Sequence, residues 1–441
     1  MGAFLEKPLV EKSNSHGDGR DFKYAIGAMQ GWRVDMEDAH AVKLSLDNGV
    51  LKDWSFFAVF DGHAGRRVAQ HCAEQLLNCI LNTTHMKEII HDLSARPSSS
   101  HADPLATEDS PADEKLNERV RKAINDGFLT LDEKMQKDES LGETNNERSG
   151  TTVVCALISP THYYIANLGD SRGLVCKRDE QTPFSTEDHK PFNPKERERI
   201  VHAGGSVMIQ RVNGTLAVSR ALGDFEYKTV PGLPSTQQLV SPEPDVYCIR
   251  RRKSMDEFLL LACDGIYDVM SNAEVADFVR ARLRVTHDLC QVANEILDAC
   301  LSKGSRDNMS VVLVVFDGAP QPESDLQKTE QDLLVTLEKR VESIVQLNDK
   351  PNDVETDYVM RCLSTQQFNG LPPGAGLHTY RGVVERLLEQ ERAKLPKPDP
   401  PVTSQPVSIH TVCPLVEYEY YFWRRLILFD SNPSPPRTGV C

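Results

Sequence analysis

The sequence predicts an α+β fold, with antiparallel sheets covered by helices and a small helical bundle after them. Three observations lead there. Short, almost wholly apolar runs recur between residues 22 and 317, with the length and composition of buried strands. Most are joined closely enough for hairpins, and the few helices cannot all be parallel crossovers. Beyond Pro322 the pattern changes to long amphipathic segments.

Residues 1–21 form an N-terminal segment, and the main domain is read as 22–317. In FFAVFDGHAG (56–65) five apolar residues run straight into Asp61, Gly62 and His63. Residues 84–116 are polar, with Pro and Ser clusters, and read as a mobile surface insertion. GTTVVCALIS (150–159) and HYYIANLGD (162–170) read as neighbouring strands, and Gly169–Gly173 as a hairpin turn. Asn193-Pro194 opens a helix that Gly204-Gly205 stops. In VMIQRVNGTLAVSR (207–220) the Asn213-Gly214 pair between two alternating runs signals a hairpin. FLLLACDGIYD (258–268) is a second buried run that stops at an acid, Asp264. Leu289, Val292, Ala293, Ile296, Leu297, Cys300 and Leu301 form the stripe of a core-facing helix, and MSVVLVVF (309–316) is a last buried strand.

After Pro322, three amphipathic helices make a bundle over 323–395. Residues 396–441 are a Pro-rich tail, expected to be disordered. Its one apolar stretch, VEYEYYFWRRLILF (416–429), is too short and carries Arg424 and Arg425, so no transmembrane segment is expected. Gly2 offers an acceptor for acylation and weak membrane attachment, although Glu6 stands where that motif has Ser or Thr.

Net charge is −15 and the one basic run is the short Arg250–Lys253, which argues against nucleic acid as a partner. Eleven cysteines without a C-x-x-C pair read as reduced thiols, placing the chain in the cytoplasm and nucleus. Acids, by contrast, gather at strand ends. RVDMEDAH (33–40) holds Asp35, Glu37 and Asp38; Asp61, Asp264 and Asp307 each lie at the edge of a buried run, with Asp268 and Asn308 close by. A single Asp-Gly after a strand is ordinarily a turn, a lone His or Arg ordinarily a surface group. Jointly they suggest one site. Convergent carboxylates repel unless a cation neutralises them, and oxygen ligands favour Mg²⁺ or Mn²⁺. Two such ions about 3.5–4 Å apart can share a bridging hydroxide and clamp a phosphoryl oxygen. His63 is placed to protonate a leaving alkoxide, and Arg33 to bind phosphate through its planar fork.

GWRVDMEDAH, FFAVFDGHAG, RSGTT, NLGDSRG, HKP, AGGSV, LAVSRALGD, PEPDV, LLACDGIYDV and GSRDNMSVVL follow one another in a distinctive order. In that order the chain resembles the metal-dependent protein Ser/Thr phosphatases of type 2C, over about residues 22–317, and the later helices resemble those of the animal alpha/beta members. The resemblance implies a central β-sandwich between helices (α-β-β-α layers), a two-metal cleft at one end, with two ions per subunit, and phosphorylated proteins as substrates. It implies hydrolysis by a metal-activated water without a phosphoenzyme, and a monomer is expected. Carried over by motif, Asp61, Asp264, Asp307 and the Gly62 carbonyl are metal ligands, and Glu37 and Asp38 hold metal-bound water. Asp268 and Asn308 support the site, Arg33 binds phosphate and His63 is the general acid. Before RSGTT the family commonly has an aspartate linked to a weaker third metal; here Glu147 stands there, and its longer carboxylate could reach through water.

Two other chemistries are weaker. Cys300 to Arg306 fits the spacing of a cysteine phosphatase, but Cys300 lies on a core stripe. The GDSRG stretch superficially matches calcineurin-type metallophosphatases, whose histidine motifs are missing. A non-catalytic scaffold would have no need of Asp61, Asp264 and Asp307 together with His63 and Arg33, and a hydrolase of small phosphate esters would share the chemistry and differ in substrate.

Overall fold

The computed structural model describes residues 4–47, 49–95, 110–138, 141 and 148–395. Its strands, in chain order, are β1 (Phe4–Asp18), β2 (Phe22–Arg33), β3 (Ala39–Lys43), β4 (Ser55–His63), β5 (Gly150–Ile158), β6 (His162–Leu168) and β7 (Arg172–Lys177). There follow β8 (Phe184–Ser185), β9 (Val207–Met208), β10 (Arg211–Val212), β11 (Leu222–Gly223), β12 (Asp245–Arg250), β13 (Asp256–Ala262) and β14 (Met309–Phe316). The α-helices are α1 (Arg67–Leu81), α2 (Thr84–Ala95), α3 (Pro111–Lys137), α4 (Pro194–His202), α5 (Asp264–Tyr267), α6 (Asn272–Leu283), α7 (Leu289–Lys303), α8 (Ser324–Gln346), α9 (Thr356–Ser364) and α10 (Arg381–Lys394).

Two sheets form the centre, ordered β1-β2-β14-β13-β7-β8 and β12-β6-β5-β4-β3, with β11 added to β5. The pairings between strands are antiparallel. Side-chain parity explains why their sequences are apolar runs and not alternations. On β4, Phe57 and Val59 face the other sheet, while Phe56, Ala58 and Phe60 face α1 and α3. On β13, Leu259 and Leu261 join the inter-sheet core, and Phe258 and Leu260 pack with α6 and α7. Each central strand is thus covered on both faces. The layers are α-β-β-α, and the expected sandwich is what forms.

The structure departs from the sequence reading in four places. First, residues 4–18 are not a separate leading segment: β1 is an edge strand paired with β2, from Asp18↔Lys23 to Phe4↔Arg33. Its side chains are largely exposed, so it lacks the apolar signal of the other strands. Second, the insertion read at 84–116 is helical at both ends. Met86 and Ile89 bury α2 against α3, and Ser110 caps α3 in a reciprocal box with Asp113; residues 96–109 lie outside the described residues.

Third, the tight hairpin at 207–212 turns on Ile209 and Gln210, both at positive φ, and Asn213-Gly214 makes the next turn, closed by the Val212–Leu216 bridge. Fourth, Gly169–Gly173 is not a hairpin turn, because β6 and β7 belong to different sheets. It is the corner by which the chain changes layer.

Downstream, α8 presents Leu333, Leu337, Val341 and Val345 at helical spacing to Val359 and Leu363 of α9 and Val384 and Leu388 of α10. The expected Pro-rich tail, 396–441, lies outside the described residues. No helix among the described residues is long and apolar enough to cross a membrane.

Candidate active site

Strand parity carries acids to one end of the sandwich. Asp61 continues the phase of Phe57 and Val59, so its side chain leaves β4 on the inter-sheet side. Asp264 stands just past β13, with Cys263 between them, at the start of the single turn α5. Oxygens of Asp61, Asp170 and Asp264 lie within 4.8 Å of one another, and so do ligand atoms of Asp38, Asp61 and Cys263. Asp61 belongs to both groups.

Burial raises the Asp61 carboxyl well above its ordinary value, and Asp264, Asp38, Asp170 and Asp307 push it further. Asp264 is raised by burial, then by Asp170, Asp307 and Asp268, with Lys190 acting the other way. Asp38 is pushed up to about 7, by burial first and by Asp307, against the Ser310 hydrogen bond that lowers it. Asp268, at the exposed rim, is also raised, chiefly by desolvation.

Backbone packing holds these groups close. A Cβ on Gly62 would come within 2.3 Å of the Glu37 carbonyl, and one on Gly265 within 2.1 Å of the Asn308 carbonyl. Asn308 ties the acidic loop to the sheet. Its Oδ1 accepts from the Glu37 amide (2.9 Å), and its Nδ2 donates to the carbonyls of Gln30 (2.9 Å) and Asp35 (3.0 Å). Glu37 Oε1 accepts from the Gly65 amide (2.6 Å), and Ser310 donates to Asp38 Oδ2 (2.6 Å). Arg33 grips Asp307 in a fork, Nε to Oδ1 at 2.7 Å and Nη2 to Oδ2 at 3.2 Å.

His63 Nε2 lies 2.7 Å from Asp224 Oδ2. Burial alone would lower the imidazole pKa, yet it is raised, because Asp224, Asp170 and Glu37 favour the cation.

The residues present fit a hard divalent cation. Asp38 Oδ1 is buried with no hydrogen-bond partner, an orphan that a cation or its water would satisfy. Cys263, whose thiol burial pushes well above its usual range, offers a soft sulfur that suits a hard cation less well than the carboxylate oxygens. Cys300 is likewise buried, beside Met270 Sδ, with its thiol strongly raised, as a core residue should be.

The fold thus gathers Asp38, Asp61 and Asp264, and sets Arg33, Glu37, Asp307 and Asn308 around them. Asp307 is engaged by Arg33 and belongs to neither group of three. Glu147 lies outside the described residues. Sequence reasoning missed Asp170 and Asp224. Asp170 is buried and ion-paired with Lys190, and the corner Gly169–Gly173 delivers it to Asp61. Its signal was another acid directly after a buried run, like Asp61.

Residues 22–309 match the family described as Protein phosphatase 2C, and residues 310–389 match Protein serine/threonine phosphatase 2C, C-terminal domain. The chain is similar to Protein phosphatase 1B of Rattus norvegicus, 51% identical over 390 residues that cover 88% of this chain and 95% of the relative. It is similar to Protein phosphatase 1A of Mus musculus, 50% identical over 392 residues, with coverage of 88% and 95%. Among solved structures, serine-threonine phosphatase 2C from Toxoplasma gondii has a TM-score of 0.56 at 24% identity, over 72% of this chain and 100% of that one, which speaks to the fold. With two contiguous family matches and relatives half identical over most of its length, the chain belongs to the protein phosphatase 2C family and is a protein serine/threonine phosphatase.

Proposed function

We propose that this phosphatase depends on divalent cations held at the acidic end of the sandwich, and hydrolyses phosphoserine and phosphothreonine in proteins without a phosphoenzyme. The observation that carries the reading is Asp61, shared by two acid groups beside an Asp38 oxygen buried without a partner. Asp61, Asp264, Asp307 and the Gly62 carbonyl would hold Mg²⁺ or Mn²⁺, two per subunit, with Glu37 and Asp38 acting through water. Asp170 joins them by position. Bound cations would supply an activated water and offset charge on the phosphoryl oxygens.

The chain's own residues do the rest. Arg33 uses Nε and Nη2 on Asp307, which leaves Nη1 for a non-reacting phosphate oxygen. Asp38, with one oxygen committed to Ser310, keeps the other to orient water. His63 gives a proton to the serine or threonine oxygen as its bond to phosphorus breaks; Asn308 holds the surrounding loops, and Asp268 adds a supporting carboxylate at the rim. The thiol in the acid groups, Cys263, is buried and burial pushes its pKa well up, which disfavours the thiolate and supports direct attack by water. The nine described cysteines, all free, support a reducing compartment, and we place the enzyme in the cytoplasm and nucleus as a monomer.

The test is phosphate release from a phosphothreonine peptide by wild type and Asp264→Asn, with Mg²⁺, Mn²⁺ or chelator, alongside Mn²⁺ binding by calorimetry. Turnover that needs the cation, and falls at least ~100-fold in the folded variant with weaker Mn²⁺ binding, is expected. Turnover undiminished in chelator would overturn the reading.

A further inference from the structure

The structure assigns to Asp224 the role of positioning residue for His63, fixing the orientation and tautomer of the imidazole. The assignment rests on His63 being the proton donor proposed above. Asp224 is only 2% exposed at its side chain and His63 24%, so their bond is largely shielded from water. A carboxylate can only accept, so Nε2 must carry the hydrogen in their 2.7 Å contact. The proton available for transfer is therefore the one on Nδ1. As the phosphorus–oxygen bond breaks, the departing oxygen takes it, and the ring is left neutral with its remaining hydrogen on Nε2, still bonded to Asp224.

Asp224 is built to hold that position. Its backbone is left-handed (φ 50°), directly after Gly223 at φ 79°, a tight reversal that asparagine and aspartate tolerate better than most residues. The reversal is pinned from several sides. The Asp224 amide donates to the Ser149 carbonyl (3.2 Å) and the Gly223 amide to Asp132 Oδ1 (2.9 Å). Asp132 in turn is gripped by Lys228 Nζ at 2.7 and 2.8 Å, and Lys228 also donates to the Ala221 carbonyl (2.9 Å).

Gly150 is the common neighbour: β4 pairs His63 with it and β11 pairs Gly223 with it. A Cβ there would lie 2.2 Å from Asp224 Oδ2 and 2.6 Å from His63 Nε2, so the contact needs that glycine.

The readout is the dependence on leaving group. A phosphothreonine peptide needs a proton at its departing alkoxide; 4-nitrophenyl phosphate, whose leaving oxygen is stable as an anion, does not. His63→Gln is expected to cut peptide turnover by ~100-fold or more while lowering aryl phosphate turnover only a few-fold. Asp224→Asn, which suits the left-handed backbone, is expected to show the same selectivity at about a tenfold loss, and to add nothing in the His63→Gln background. Equal losses on both substrates, or a further loss in the double variant, would overturn the role of Asp224. If His63→Gln itself shows no selectivity, the proton-donor reading fails instead. Nitrogen NMR of wild type, assigned by the signal missing in His63→Gln, needs no stable Asp224 variant: a ring hydrogen on Nε2 supports the positioning role, and a neutral Nδ1–H tautomer rejects it.

Discussion

Two kinds of buried carboxylate coexist in this chain. Glu196 is buried, and Glu295 and Glu330 are largely withdrawn from water; each is met by arginine. Arg220 and Arg199 hold Glu196 together with the Ser219 hydroxyl, and Arg282 forks to Glu295 and Glu330 at 2.6–3.0 Å. Burial would raise Glu196, but Arg220 and Arg199 bring it down to about 2. Asp61 and Asp264 are surrounded mainly by other acids, and among the described residues neither side chain receives a hydrogen bond. The first kind is complete within the protein and holds helices and loops together. The second is incomplete, and the charge it lacks is that of a cation. A carboxylate largely withdrawn from water is structural or functional according to whether its neighbours have the opposite sign or the same.

The sharpest way to break this contrast is to remove one acid of each kind. Asp61→Asn should lower turnover by ~1,000-fold or more, yet leave the metal-free protein as stable as wild type or more so, because it relieves like-charge repulsion. Glu196→Ala leaves Arg199 with backbone carbonyls only and Arg220 with Asp245 alone as its carboxylate partner, and should cost about 3–5 kcal/mol. Urea unfolding in chelator, with phosphate release measured in parallel, reads both. If Asp61→Asn destabilises as much as Glu196→Ala, the acids at the site are not awaiting a cation.

Acidity gives the next largest effect, of opposite sign for the two kinds. Asp38 titrates at about 7 in the folded chain and at 3.8 ordinarily, so the folded state holds a proton that the unfolded chain releases. Asp38 alone should therefore make the metal-free protein less stable as pH rises from about 4 to 7, by up to about 1.4 kcal/mol per pH unit, and the raised Asp61 and Asp264 act in the same direction. Glu196, depressed from 4.5 to about 2, contributes stability that is full above about 4.5 and is lost as pH falls through 2. Urea midpoints at pH 5 and 7.5 should differ in chelator, with pH 5 the more stable, and the difference should shrink with saturating Mg²⁺. A protein equally stable at both pH values without metal would remove Asp38 from the incomplete set.

What the sequence could show followed from local signals. β4, β5, β13 and β14 are legible because both faces are covered, which makes their residues uniformly apolar, and Asp61, Asp264 and Asp307 stand out as the acids beside them. β1 was illegible because an exposed edge strand needs no such run. The helical ends of 84–116 did leave signals: Met86, Ile89 and Ile90 at helical spacing, and the Ser110–Asp113 cap. The Pro and Ser residues between them outweighed both. Asp170 and Asp224 needed the tertiary fold. The first is delivered by a change of sheet at an apparent hairpin, and the second meets a histidine 161 residues away.

The smallest effect tests whether burial, and not the ion pair itself, sets the scale. Arg252 forks as Arg282 does, with Nη1 and Nη2 to Asp179 at 2.9 and 3.1 Å and Nη2 to Glu180 at 2.8 Å. The chemistry is the same, but the Arg252 side chain is 32% exposed and that of Arg282 is 1%. Water and salt already solvate the acids of the exposed fork, so Arg252→Met should cost less than about 1 kcal/mol, and less still in 1 M salt. Arg282→Met leaves Glu295 and Glu330 facing each other out of water, and its cost should be several-fold larger and little changed by salt. Equal costs from the two substitutions, measured by urea unfolding, would mean that desolvation does not separate the carboxylates of this protein. The distinction between its structural and its cation-seeking acids would then have to rest on neighbouring charge alone.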